Sequence, residues 1–170
     1  MLCAALCAGC KKSAPVAVAA PAAAAPTLED LLPKHAQPKL PTLKIYLGAW
    51  ETLGAELALS QTEQMTGMMF RSNILETDSM IFVLPYTQSA SFWMMHCPES
   101  ISAAYITPDG VIAEIHHLEK NDTNGVVAAT DNIRFVLETR DGWFKRHNVN
   151  VGDIIHTERG SLAETFLRGN

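Results

Sequence analysis

From Thr42 onward, turn-forming residues cut the chain into short apolar segments, and the length of those segments limits the fold more than any other feature. Leu43, Ile45 and Leu47 alternate with Lys44 and Tyr46, a period of two that predicts a strand. Residues 55–59 read as a second strand. Residues 80–84 and 91–95 are unbroken apolar runs of strand length, the pattern of strands buried on both faces. Residues 103–106 and 111–115 flank Thr107-Pro108-Asp109-Gly110 and predict a hairpin. Residues 133–138 and 151–156 supply two more strands, and 121–125 a polar surface loop. Helices are few. Ser60-Gln61-Thr62-Glu63 is a capping box, and the helix it starts would set Met65, Met68 and Met69 on one face. Residues 141–148 read as a short helix or loop, and 161–170 as a loose helical tail. Many short strands with one or two short helices predict a mainly β fold, a small sandwich or barrel.

At 170 residues the chain has enough length for one domain. Its 13 Lys+Arg against 18 Asp+Glu leave a net charge of -5, which argues against a nucleic-acid partner needing a basic patch. No apolar run reaches the roughly 18 residues that span a bilayer. Of four cysteines, Cys3, Cys7 and Cys10 crowd the first ten residues and only Cys97 lies in the body, so no disulfide framework is expected there.

The first ten residues read as an address. Cys-Ala-Gly-Cys at 7–10 resembles a bacterial lipobox, with Cys10 as the lipidated residue and a signal peptide whose start lies upstream of Met1. Residues 11–41 follow as an Ala/Pro-rich tether whose small side chains cannot build a core. The expected organisation is therefore a signal peptide at 1–10, a tether at 11–41, a single β domain at 42–159 and a tail at 160–170. It implies a domain held by a lipid anchor on the bacterial cell envelope, periplasmic or surface-facing.

Ala58, Thr62-Glu63, Gly67-Met68-Met69-Phe70-Arg71, Met80-Ile81-Phe82-Val83 and Phe92-Trp93-Met94 together resemble the family catalogued as domain of unknown function 192. Asp109-Gly110, Val136-Leu137-Glu138 and Gly152-Asp153 match its later landmarks. The resemblance covers about 42–158 and implies a small jelly-roll-like β domain, often exported or lipid-anchored, without an established activity. Where the family pattern has Lys-Asn-Thr after Trp-Met, this chain has Met95-His96-Cys97. Where it has Pro-Leu-Asp, the chain has Ser100-Ile101-Ser102, and the Gly before Met80 is Ser79.

Three functional readings follow. The first is a non-catalytic module binding a small ligand or an envelope protein, with Arg71, Trp93 and His96 as candidate ligand residues. Arg offers a planar donor fork suited to a carboxylate; its structural alternative is an internal ion pair with Glu63 or Asp78. Trp93 lies within an apolar run and reads first as core. The second is a Cu(I)-handling protein using Met94 or Met95 with His96 and Cys97, since thioether, imidazole and thiolate are soft ligands. Against it, side chains on a straight strand alternate between faces, so Met95 and Cys97 would share one and Met94 and His96 the other. Six of the seven methionines lie between 65 and 95, and they also read as adaptable core filler. The third is a thiol enzyme built on Cys97. His116-His117 and His156 lack the spaced partners of a zinc site. Glu138 and Gly152-Asp153 read as strand-end and turn residues. No catalytic residue and no resident cofactor is assigned.

The address makes a direct prediction. Cys10→Ala abolishes lipidation and moves the protein from the membrane to the soluble fraction, as read by fractionation and by mass; a variant that stays membrane-bound removes the lipobox assignment.

Overall fold

Alternation along the strands sorts their side chains onto two faces, and each face carries its own hydrophobic core. The structure, a computed structural model, describes residues 27–48 and 51–168. The lipobox with Cys10, and the tether up to residue 26, lie outside the described residues.

Two units divide the chain, residues 1–31 and Leu32–Asn170. In the first, the described part ends in the single helical turn α1 (Leu28–Leu31), none of whose residues is buried. Thr27 starts that turn, donating its N–H and hydroxyl to the Asp30 carboxylate at 2.9 and 2.7 Å.

The second unit carries ten described strands: β1 (Thr42–Leu47), β2 (Glu51–Ala58), β3 (Ser79–Gln88), β4 (Ser91–Phe92), β5 (Ile101–Ile106), β6 (Ile112–Leu118), β7 (Val126–Val127), β8 (Ile133–Arg140), β9 (Ile155–Thr157) and β10 (Gly160–Ser161). Three short helices join them: α2 (Gln61–Thr66), α3 (Trp143–Arg146) and α4 (Leu162–Phe166). Eight strands form one sheet in the order β10-β9-β1-β2-β3-β8-β5-β6, while β4 and β7 pair separately. The fold is mainly β, as the segment lengths predict, and the large sheet is mixed and curls into a half-barrel. Four short helices are present among the described residues, against an expectation of one or two.

Within the large sheet β2 and β3 run parallel, and the other neighbours antiparallel. A parallel pair needs a crossover rather than a hairpin. Residues 59–78 supply it, with α2 at its start. On one face Ile45, Ile81, Ile106, Phe135 and Leu137 pack beneath Trp143 and Phe144 of α3 and Leu162 of α4. On the other, Met80, Phe82, Ala103, Tyr105 and Val136 are covered by Met68 and Met69 from the crossover and by Met94 and Cys97.

Residues 91–95 correct the expectation of a buried strand. Only Ser91–Phe92 is strand, paired to β7, and the chain then turns at 94–97, where Cys97 N–H donates to Met94 O at 3.0 Å. His96 there has φ 59°, so the face-by-face alternation assumed for this run does not apply. Residues 32–41, expected as tether, belong to the second unit and pack on its strands and crossover. Leu32 is buried, Gln37 Nε2 donates to the Glu63 and Gly67 carbonyls at 3.2 and 3.0 Å, and Leu40 N–H donates to Glu56 Oε2 at 2.8 Å.

The half-barrel is closed at one end by the hairpin between β5 and β6. Ile112 N–H donates to Asp153 O, and Ile155 N–H to Gly110 O, at 2.9 and 2.8 Å. This seam joins the start of β6 to the start of β9, which lie toward opposite margins of the sheet. Gly110 makes it feasible. Its φ is +84°, and an added Cβ would lie 2.7 Å from the Ile155 carbonyl oxygen. Gly110→Ala is therefore expected to cost about 2–4 kcal/mol, from the left-handed backbone and the displaced seam together, measured by urea denaturation.

Candidate functional site

The most unusual group in the sheet is a carboxyl. Glu138 stands in the interior of β8, paired across to Met80 of β3 and Ala103 of β5, on the face covered by the crossover. It is 4 % exposed, and its Oε2 has no hydrogen-bond partner among the described residues. A buried polar atom left unpaired is costly, so its presence calls for an explanation. Burial raises the Glu138 pKa to about 8, against a smaller lowering influence from the Arg71 charge. At neutral pH the side chain is thus mostly the uncharged acid.

Glu138 faces a partly open cavity of about 40 Å³. Three parts of the chain enclose it, each for a local reason. The first wall is the end of α2. Ser60 caps this helix, its side chain accepting from Glu63 N–H while Glu63 Oε2 accepts from Ser60 N–H at 2.7 Å. The helix stops at Thr66 because Gly67 leaves helical space at φ 45° and ψ -129°. An added Cβ at Gly67 would stand 3.3 Å from Phe82 Cζ. The three methionines expected on one helix face are consequently split: Met65 is 41 % exposed, whereas Met68 and Met69, beyond the helix end, turn into the core. All three line the cavity.

The second wall is the segment after β4. Phe92, Trp93 and Cys97 line the cavity, Phe92 meeting Phe82 edge to face at 5.0 Å. The segment is pinned by Met94 N–H donating to Asp122 O and Asn121 N–H to Cys97 O. The floor is the sheet itself, through Phe82 and Glu138. Cys97 is a buried free cysteine, and burial with the nearby Glu138 charge pushes its thiol up to about 12. It is therefore a thiol rather than a thiolate at neutral pH, and a weak nucleophile as it stands.

The candidates read from sequence fall into different places. Trp93 and Cys97 both line the Glu138 cavity. His96 does not: its ring stacks on Phe70 at 4.9 Å, while its carbonyl accepts the Phe70 N–H at 2.8 Å. Phe70 and His96 both hold positive φ, 61° and 59°. Met95 is half-buried and outside the cavity lining, so the Met95, His96, Cys97 set does not share this cavity. Arg71 has its terminal nitrogens on Glu56, Nη1 to Oε1 at 2.6 Å and Nη2 to Oε2 at 2.9 Å. The partner is Glu56, rather than Glu63 or Asp78. Burial opposes the ionised form of Glu56, but hydrogen bonds from Arg71 and Leu40 outweigh it and hold the pKa below the usual carboxylate range. A second cavity of about 240 Å³ lies beside this pair, lined by Gln37, Lys39, Met68, Arg71, Ser72, Ile74 and Asp78. Met68 borders both cavities.

Three other histidines, His116, His117 and His156, make side-chain contacts away from the cavity. His116 bonds Glu114 at 2.8 Å, His117 sits between Asp141 and Glu119, and His156 stacks on Tyr46. Among the described residues no group of three or more His, Cys, Asp or Glu is placed to hold a metal ion. Nor is any described helix long and apolar enough to cross a membrane.

Sequence reading placed Glu138 at a strand end. In the structure β8 runs on to Arg140, which makes Glu138 an interior position. Glu138 directly follows the apolar run Phe135-Val136-Leu137 and precedes polar Thr139 and Arg140, so the local sequence carries no sign that the strand continues past it.

A small mainly β domain with a buried acid beneath a crossover is the class this geometry defines. Comparison with known proteins identifies the family: the chain belongs to DUF192 (Uncharacterized ACR, COG1430), whose model matches residues 46–157. No curated protein matches it. Among solved structures, it is similar to a protein of unknown function from Novosphingobium aromaticivorans DSM 12444. The identity is 24 %, 79 % of this chain and 94 % of that one are covered, and the TM-score is 0.66. It is also similar to a Sinorhizobium meliloti 1021 protein described as a "putative transcription regulator", at 22 % identity over 71 % of this chain and 97 % of that one, with a TM-score of 0.67. These likenesses establish a shared fold.

The buried acid makes a signed prediction. A carboxyl that titrates near 4.5 unfolded and about 8 folded binds more protons in the native state between those values. Its contribution to stability is thus fully present below pH 4.5 and is lost as pH rises to about 8. Glu138→Gln removes this loss. Thermal melts should show the variant gaining on the native protein from pH 5 to pH 8, and equal pH profiles would contradict the assignment.

Proposed function

We propose that this protein is a non-catalytic binding module, lipid-anchored on the bacterial envelope, that takes a small cationic ligand in the Glu138 cavity. The observation that carries the reading is the lining. It contains one buried, incompletely partnered acid and, among the described residues, no Lys, Arg or His. Three aromatic side chains, Phe82, Phe92 and Trp93, also line it, and aromatic rings are a residue type that cations favour. Gln64 and Thr66 of α2 also line the cavity. An anion would meet no cationic side chain in this lining. A cation would meet a carboxyl that gives up its proton on binding, so that ligand uptake and proton release are linked.

The anchoring half of the proposal is supported by the Cys7-Ala8-Gly9-Cys10 pattern and the Ala/Pro-rich stretch after it. Binding is favoured over thiol catalysis because the Cys97 thiol is held protonated by its surroundings.

Thermal denaturation of the 170-residue chain with ammonium and methylammonium, against acetate and phosphate, tests the cavity assignment. At least one cation should raise the melting temperature while neither anion does, and Glu138→Gln should weaken the response to the ammonium probes. No shift with any cation, or equal shifts with the anions, would overturn it.

A further inference from the structure

The Glu138 cavity is rich in sulfur and small. Met65, Met68, Met69 and Cys97 all line it, and its volume of about 40 Å³ is the space of a few water-sized groups. That suits a bare ion better than an organic molecule. We propose that the cavity is a site for a soft monovalent metal ion of the Cu(I) class, held by Cys97 Sγ with the thioethers of Met68 and Met69, opposite Glu138. This rests on the reading above that the cavity receives a cation, and it names which one.

Two independent observations meet here. Thiolate and thioether donors select Cu(I) over harder ions. Separately, Glu138 is almost fully buried, lines the same cavity and leaves Oε2 without a partner among the described residues. Neither Cys97 nor Glu138 has a cation to offset its ionised form within the lining, and an entering metal ion supplies one. On binding, the Cys97 S–H bond breaks, an Sγ–metal bond forms and the proton passes to solvent. The metal stays monovalent and no electron is transferred. The ligand set differs from the one the sequence suggested, because His96 is engaged with Phe70 and Met95 is not part of the lining.

The test uses the 170-residue chain carrying Cys3→Ser, Cys7→Ser and Cys10→Ser, since those thiols would bind copper themselves. Cu(I) is delivered without oxygen in competition with a chromophoric chelator. One Cu(I) per chain is expected, with a thiolate-to-copper absorption band in the ultraviolet. Cys97→Ser and Cys97→Ala should each lower the affinity by about 100-fold or more, and Met68→Leu with Met69→Leu by about 10-fold. Met95→Leu and His96→Ala should leave it unchanged, with circular dichroism confirming that each variant is folded. Failure to withhold copper from the chelator, or uptake indifferent to Cys97, overturns the proposal. If copper fails while methylammonium still stabilises the protein through Glu138, the metal assignment falls alone; if both fail, the cationic-pocket reading falls with it.

Discussion

The parallel pairing of β2 with β3 is the constraint from which the rest of this molecule follows. Within an otherwise antiparallel sheet it forbids a hairpin, so the chain between the two strands must rise over one face and return. The crossover does this with a six-residue helix, a glycine that ends it and a turn that drops Met68 and Met69 onto the sheet. It is then fastened to the strand it left by Arg71, whose bidentate contact with Glu56 is mostly buried. Removing one member would strand the other charge, a loss of about 3–5 kcal/mol for buried pairs. The cavity is the space left where this lid, the 92–97 segment and the sheet fail to meet completely.

Much of this was legible from the sequence. Period-two alternation located β1, unbroken apolar runs located β3, and the turn at 107–110 located the β5–β6 hairpin. The capping box at Ser60 appears as read. What was illegible has physical causes. Apolarity alone cannot separate a buried strand from a buried turn, and residues 93–97 are the latter because their partners, Asp122 and Asn121, come from a distant loop. Pairing order is set by contacts far apart in sequence, so the parallel neighbour of β2 had no local signal. The site suffered most from a boundary shift of two residues in β8, which moved Glu138 from a rim to the core.

Of the departures from the family pattern, Cys97 lines the cavity and His96 does not. His96 occupies the position of the pattern's Asn and holds a left-handed backbone, a conformation Asn and His tolerate better than most residues. Cys97 occupies the position of its Thr. A hydroxyl is a competent donor and a thiol a weak one, so this exchange leaves less to satisfy a neighbouring carboxyl. Cys97 thus puts a sulfur into the lining that also holds the unpartnered Glu138 Oε2.

Met68 stands between two spaces of unequal size, about 40 and 240 Å³. An unbranched thioether has three rotatable bonds and adapts to irregular surroundings. The sulfur-lined chamber and the one beside Arg71 are therefore separated at this point by a flexible side chain rather than by backbone. Met68 is thereby the one side chain through which the two spaces adjoin among their described linings.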